Sequence, residues 1–421
     1  MTKISIRKQD IKTAGGDILV GIIIALVSIP ISMGYSQVAG LPVEYGLYGS
    51  LLPIVFFGFL TSSPRFVFGV DAAPAALAGG ILASMGIAGE SEEAIRIVPV
   101  ITLLVALWLF LFYIVKADRL LKFISQPVMG GFITGIGVTI ICMQIPKLFG
   151  GSPGTGEIAE LLVHMVTEAM KGFHGLSFLL GVGTVALILI VKKISPGIPM
   201  QPIVMFAGAA LTYFFHIDRY GVKLLPSVEP GLPKPILPEV GLIFGNLTDL
   251  VMPSMTIALV ILSETLLATS NMALKHDDKI ITSREVLAYA VGNLTAAVFG
   301  CCPVNGSVSR TGIADQYKVK SQIMSLTAGV MMLLILLFGT GFIRYLPVPV
   351  LTGIVISALI GTFEFGLAKR LKTIDREEYL IFYAAFFSVL ILGTIYGVLI
   401  GALEQLYPNV AQIHQIGRAH V

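Results

Sequence analysis

Uninterrupted apolar runs recur along this 421-residue chain, among them Ile18 to Ile31, Ile97 to Val115 and Leu326 to Phe342. Runs that approach or reach the roughly 20 residues needed to cross a bilayer leave few alternatives to a polytopic helical membrane protein. Composition supports the same class, with 55% hydrophobic and 13% charged residues, too little polar surface for a water-soluble globule. The first apolar run is too long for a cleavable signal and lacks a small-residue cleavage pattern before Pro30.

The spans expected from hydropathy are 17–38, 46–60, 71–88, 96–115, 123–148, 175–191 and 199–216. A second set follows at 249–271, 285–301, 307–317, 323–342, 348–367, 378–391 and 392–408. Seven spans followed by seven put the second copy upside down, which predicts an all-α fold of 14 segments in two inverted repeats. The divisions are a first repeat over 1–216, a Pro-rich connector outside the membrane over 217–248, a second repeat over 249–408 and a short tail over 409–421. A further segment, 158–170, has apolar residues at helical spacing and is expected to lie on the surface. With the N-terminus inside, most Lys and Arg fall on the inner side, including Lys3, Arg7, Lys8 and Lys12, then Lys116, Arg119 and Lys122, then Lys369, Arg370, Lys372 and Arg376. These clusters flank apolar spans and read as orientation signals, not as a nucleic-acid surface.

The third span of each set is broken. The stretches are RFVFGVDAAPAA (Arg65 to Ala76) and CCPVNGSVSRTG (Cys301 to Gly312). Each starts extended, is interrupted by Gly and Pro, and continues as half a membrane helix. Paired broken segments at matching positions mark a transporter's substrate site near the midplane. Half-helices opening at Asp71–Ala72 and at Ser307–Val308 would aim unpaired N–H groups and positive dipole ends into one small pocket. Ser309 adds a hydroxyl and Arg310 a full charge, and together they favour an anion. Asp71 opposes that preference; it reads as a helix cap, a partner of Arg310, or a ligand for a cation or proton. Glu264, deep in the apolar run Leu259 to Ala268, is suited to carry a proton or cation through a transport cycle. Asp315 reads as solvated or salt-bridged, and Tyr35 as pocket lining or packing.

No catalytic group of residues stands out, and an enzyme is not expected. The six His show no ligand pair at helical spacing, the three Cys show no zinc or disulfide pattern, and there is no P-loop. No cofactor is expected.

At these residues the chain resembles the SulP family of anion transporters, the bacterial sulfate-permease-like group related to animal anion exchangers and prestin. The similar stretches are IPISMGYSQVAGLPVEYGLYG (Ile29 to Gly49), FGVDAA (Phe68 to Ala73), SETLL (Ser263 to Leu267), and GNLTAAVFG (Gly292 to Gly300) followed by PVNGSVSRT (Pro303 to Thr311). The resemblance implies a core domain and a gate domain, with substrate between the third and tenth segments. By position it places Tyr35, Asp71, Ser309 and Arg310 around the pocket and Glu264 at the acidic position linked to cation coupling. A Glu there, rather than an Asp, points to protons over sodium.

Three departures accompany it. The family's Gly-Thr-Ser-basic turn stands here as Thr61 to Arg65 with the basic residue shifted by one. Asp71 replaces an aromatic found in animal members. The cytoplasmic STAS domain expected after Gly417–Arg418 is absent from this sequence.

The function expected is secondary active transport of a small anion, of the sulfate, bicarbonate or dicarboxylate class, with a proton (or sodium) and alternating access. A nucleobase–cation symporter of the same fold and a passive anion channel are the alternatives. The location expected is a bacterial inner membrane, with both termini cytoplasmic. Besides the anion, the coupling ion and the lipid bilayer, a second copy of the chain is an optional partner; nucleic acid is not one.

Overall fold

The computed structural model describes residues 10–116, 126–239 and 241–392. The fourteenth expected span, the tail over 409–421 and the basic residues Lys3, Arg7, Lys8, Arg119 and Lys122 lie outside the described residues.

The first half comprises α1 (Asp10–Val38), α2 (Val43–Gly49), α3 (Leu52–Leu60), β1 (Phe68–Val70), α4 (Ala72–Ser84), α5 (Glu92–Ile114) and α6 (Gln126–Leu148). It continues with α7 (Ile158–Lys171), α8 (Gly175–Ile194) and α9 (Met200–Phe215). After the connector come α10 (Gly241–Gly245), α11 (Leu247–His276), α12 (Thr282–Val298), β2 (Val304–Gly306) and α13 (Val308–Gln316). The remainder is α14 (Ile323–Leu334), α15 (Val348–Ile360), α16 (Phe365–Ile374) and a last helix, α17, over 376–392. Eight of the described helical stretches are long and apolar enough to cross a membrane unaided.

Both broken segments are present as a short strand leading into a half-helix, and the two strands pair antiparallel. That antiparallel pairing is the inversion of the repeats seen at its centre. The halves interleave: α5 packs on α11 and α12, and α1 on α14, while α15 packs on α6 and α8. One large apolar core therefore draws on both repeats, from Val27 to Val389.

Three elements differ from the spans expected. The second span is two helices, because Pro53 at the start of α3 cannot continue the ladder from α2. Its first piece crosses α1 closely: a Cβ on Gly46 would lie 2.1 Å from the Ser32 carbonyl oxygen, and the Ser32 and Ser50 hydroxyls are 2.5 Å apart. The eleventh span leaves α geometry at Ile335, passing through a π turn and a 3₁₀ turn to Tyr345. The twelfth ends at Ile360, and α16 follows as a separate short helix.

The surface segment forms α7 as expected. Its Val163, Val166 and Met170 are exposed, as suits a helix lying at an interface. Glu168 anchors it: the carboxylate accepts hydrogen bonds from Lys171 (2.7 Å) and from the Ser152 amide (2.8 Å) and hydroxyl (2.9 Å). These bonds hold its pKa down to about 2. The Pro-rich connector is tied back to the bundle by single bridges, Leu224 to Pro347 and Ile236 to Phe299.

Candidate functional site

Backbone left extended inside a membrane must find hydrogen-bond partners within the protein. The paired strands meet this demand with side chains as well as with each other. Asn293 on α12 bonds both backbone groups of Val304, accepting from its N–H (3.0 Å) and donating to its carbonyl (3.1 Å). The Thr265 hydroxyl accepts from the Gly306 N–H (3.0 Å), and the Thr311 hydroxyl accepts from the Val67 N–H (3.0 Å). The Ser307 N–H donates to the Val67 carbonyl at 2.9 Å. Phe68 packs with its ring nearly parallel to those of Phe57 and Tyr289, the centroids 4.8 and 5.7 Å away. Only glycine fits at 306, where a Cβ would lie 2.3 Å from Phe66 and 2.4 Å from Thr265.

The half-helices start from this ribbon. Asp71 caps α4, its carboxylate accepting from the Ala72 N–H at 2.8 Å. Pro74 falls in the first turn, where a missing N–H costs nothing. Ser307 is the residue before α13, and its hydroxyl lies 3.4 Å from that of Ser309.

A cavity of about 270 Å³ lies where these starts converge. Asp71, Ala72, Val308, Ser309 and Glu264 line it on one side. Ile133 and Ile136 of α6, Ile188 and Lys192 of α8, and Ser357 of α15 line the other. It runs towards the Gly197 turn and the Gln316–Tyr317 end of α13. On the opposite side of the bundle, Lys147 of α6 is buried and donates to the Gln37 side-chain carbonyl at 3.1 Å. Gln37 in turn donates to Glu90 at 3.0 Å. This polar relay joins α6 to α1 and to the turn after α4.

Of the residues singled out from sequence, Tyr35, Ser307 and Arg310 do not line the cavity. Arg310 is 1% exposed. Its guanidinium donates to the Val70 carbonyl (2.6 Å) and the Ser28 hydroxyl (3.2 Å), while its Nε has no partner among the described residues. Gly69 lies against it, with a Cβ there only 3.1 Å from Nη1. Among the described residues no ion pair involves Arg310, so of the three roles open to Asp71 the pairing with Arg310 is not formed and the helix cap is. Glu264 accepts a 2.6 Å hydrogen bond from the Asn305 amide. The Asn305 oxygen in turn accepts from the Thr265 hydroxyl.

Sequence reasoning missed Asn305, Thr265, Asn293 and Ser28. Each is a polar residue within an apolar segment, which is the available signal. It also missed Glu285, whose buried carboxylate accepts from Thr61 (2.8 Å), from the Ser62 amide and hydroxyl (2.6 Å each) and from the Ser63 amide (3.2 Å). That cap, with the Arg65–Asp278 ion pair at 2.7 Å, shapes the turn entering β1. Asp315 is salt-bridged as expected, to Lys275 and His276 at 2.6 Å each. Among the described residues no cluster of His, Cys, Asp or Glu is suited to a metal.

The model of the sulfate permease family matches residues 15–385. A probable sulfate transporter of Mycobacterium tuberculosis is 28% identical over 402 residues, covering 95% of this chain and 71% of that protein. The chloroplastic sulfate transporter 4.1 of Arabidopsis thaliana is 25% identical, with 96% of this chain and 59% of the plant protein aligned. In fold, the murine Slc26a9 anion transporter in an inward-facing state superposes with a TM-score of 0.86 at 19% identity, over 98% of this chain and 70% of that one. The transmembrane domain of the cyanobacterial bicarbonate transporter BicA gives 0.80 at 18% identity, over 91% and 97%. The chain thus spans well under two thirds of the plant protein and almost the whole BicA membrane domain. The match along nearly its whole length makes this chain a member of the sulfate permease family, a multi-pass membrane anion transporter and not an enzyme.

Proposed function

We propose that this protein is a secondary transporter of a small oxyanion of the sulfate or bicarbonate class, with small dicarboxylates as an extension, driven by protons through Glu264. The observation that carries the reading is the convergence of both half-helix starts and Glu264 on one cavity. Helix N-termini supply oriented N–H donors and positive dipole ends, and Lys192 of α8 adds a cation to the opposite wall. Arg310 adds its charge from behind the strands and polarises the Val70 carbonyl that it holds.

The packing supports a reading of alternating access. The elements α1–α5 and α11–α14 form a core that carries the site, and α6, α8, α9, α15 and α17 form a gate against it. We place both termini in the cytoplasm of a bacterial cell, on the basis of the positive residues flanking the spans. The cavity then opens inward, and the Lys147–Gln37–Glu90 relay lies towards the outer face.

A nucleobase–cation symporter has one observation in its favour: the carboxylates Asp71 and Glu264 face the cavity while Arg310 does not. Uptake into proteoliposomes separates the readings, using sulfate, bicarbonate, succinate and uracil with and without an inward proton gradient. Gradient-stimulated anion uptake that Glu264→Gln makes insensitive to the gradient supports the proposal. Uracil uptake with no anion uptake would replace the substrate class, and flux indifferent to the gradient would remove the coupling.

A further inference from the structure

A second cavity, of about 300 Å³, lies beside the first, far above the roughly 10–15 Å³ of probe-occupied volume that one water requires. It is lined along α11 by Glu264, Ala268, Asn271, Met272 and Lys275. These positions recur at helical spacing and form one stripe, from the buried acid to the end of the helix. Across from them stand Thr311 and Asp315 of α13.

The half-helix α13 is the partition. Its Ser309, Ile313 and Gln316 face the first cavity, and its Thr311 and Asp315 face the second. Val308 and Gly312 touch both, as do Ile133 of α6 and Glu364, and among the described residues nothing lies within 4 Å of where a Gly312 Cβ would point. Glu264 also touches both cavities. Asp71, Ala72 and Ser309, at the helix starts, border only the first. The acid therefore has a route to the same side of the protein that bypasses the place where an anion would sit.

We infer that the second cavity is a proton-access branch: hydronium travels along the α11 stripe and protonates Glu264 without passing Asp71, Ala72 or Ser309, which border only the first cavity. The transfer moves one proton from hydronium to the carboxylate and releases water. The other ionisable groups whose charges reach Glu264 are Asp71 at the start of α4 and Tyr35 on α1. At the mouth stand Lys275, Asp315 and Glu364. A separate branch lets the coupling proton bind or leave while the anion is bound. The inference rests on the reading of Glu264 as the coupling group.

The test uses the full chain in proteoliposomes, with sulfate as the probe. Ala268→Phe fills the branch and should lower proton-driven sulfate uptake at least 10-fold, while sulfate exchange at equal acidic pH on both sides stays within twofold of wild type. That exchange also reports that the variant is folded. In parallel, Ala268→Cys and Thr362→Cys, the latter bordering only the first cavity, are labelled with a cationic thiol reagent, with unsubstituted chain as background. Saturating sulfate should protect Thr362→Cys at least fivefold and Ala268→Cys less than twofold.

Equal protection of the two cysteines overturns the inference. So does Ala268→Phe with unchanged driven uptake, or with driven uptake and exchange lost together. Wild-type flux indifferent to the proton gradient instead defeats the coupling reading, and the labelling arm still decides whether the branch is separate.

Discussion

The two broken segments share a scaffold and differ in almost everything attached to it. Each is a three-residue strand leading into a half-helix, and the strands pair with each other. Yet α4 has 13 residues, is built of Ala, Gly, Leu, Ile, Pro and Ser, and is capped by a carboxylate. Its counterpart α13 has 9 residues and carries Ser309, Arg310, Thr311 and Asp315. One segment supplies backbone dipole and an acid; the other supplies hydroxyls, a guanidinium and a helix thin enough to have open space on two faces. Pseudo-symmetry thus sets where the two half-helix starts meet at the cavity, and departures from symmetry set the chemistry of its wall.

The comparison is broken most severely at Arg310. Arg310→Ala should lower sulfate uptake in proteoliposomes by about 100-fold, since it removes a charge and leaves the Val70 carbonyl unpaired in a buried place (~1.5–3 kcal/mol for a bond to a charged group). Arg310→Lys should recover part of that loss. Normal uptake by the Ala variant would mean that the second segment does not set the anion preference.

Next come the strand glycines. Gly306→Ala should destabilise the detergent-solubilised protein by roughly 1–3 kcal/mol, because the added methyl meets Phe66 and Thr265 with no room to yield. Gly69→Ala meets only the tip of the Arg310 side chain, 3.1 Å away. A φ of +159° at this position adds backbone strain, so Gly69→Ala should lower the thermal midpoint, though less than Gly306→Ala, and weaken anion binding. Equal midpoints for the two variants would erase this difference between the strands.

The caps give smaller effects. Asp71→Asn keeps an acceptor for the Ala72 N–H and removes a negative charge from the cavity wall. Sulfate affinity, measured by calorimetry, should rise about two- to fivefold (~0.3–1 kcal/mol for a charge at a helix terminus); a fall would show the carboxylate to be a ligand. Thr311→Val deletes the acceptor for the Val67 N–H and should cost about 1 kcal/mol in thermal stability.

Much of this was legible because hydropathy and chain breaks are local properties. Span lengths, the interruptions at Gly69 and Pro303 and the lone acid Glu264 are visible in linear order. The concealment of Arg310 was not. It neighbours Ser309 in sequence but is turned by about 100° around the helix, which carries it away from the cavity towards Ser28 and Val70. The Asn305–Glu264 bond joins residues 41 apart, and Gln37 meets Lys147 across 110. Side-chain pairs of this kind appear only once the segments are packed. The break between α2 and α3 could have been read from Pro53; the π turn after Leu334 has no comparable mark.

The strand pair also bears on how the protein is made. Val70 and Val304 pair across about 230 residues, so β1 leaves the ribosome long before its partner exists. At roughly 5–20 residues per second, that interval is about 10–50 s. Throughout it, the peptide groups of the first broken segment lack β2, the Ser307 N–H, Arg310 and Thr311. Such a segment is poorly suited to lipid on its own. The first repeat must therefore wait in a partly hydrated or chaperoned arrangement, and its membrane-buried centre is completed only when the second repeat arrives.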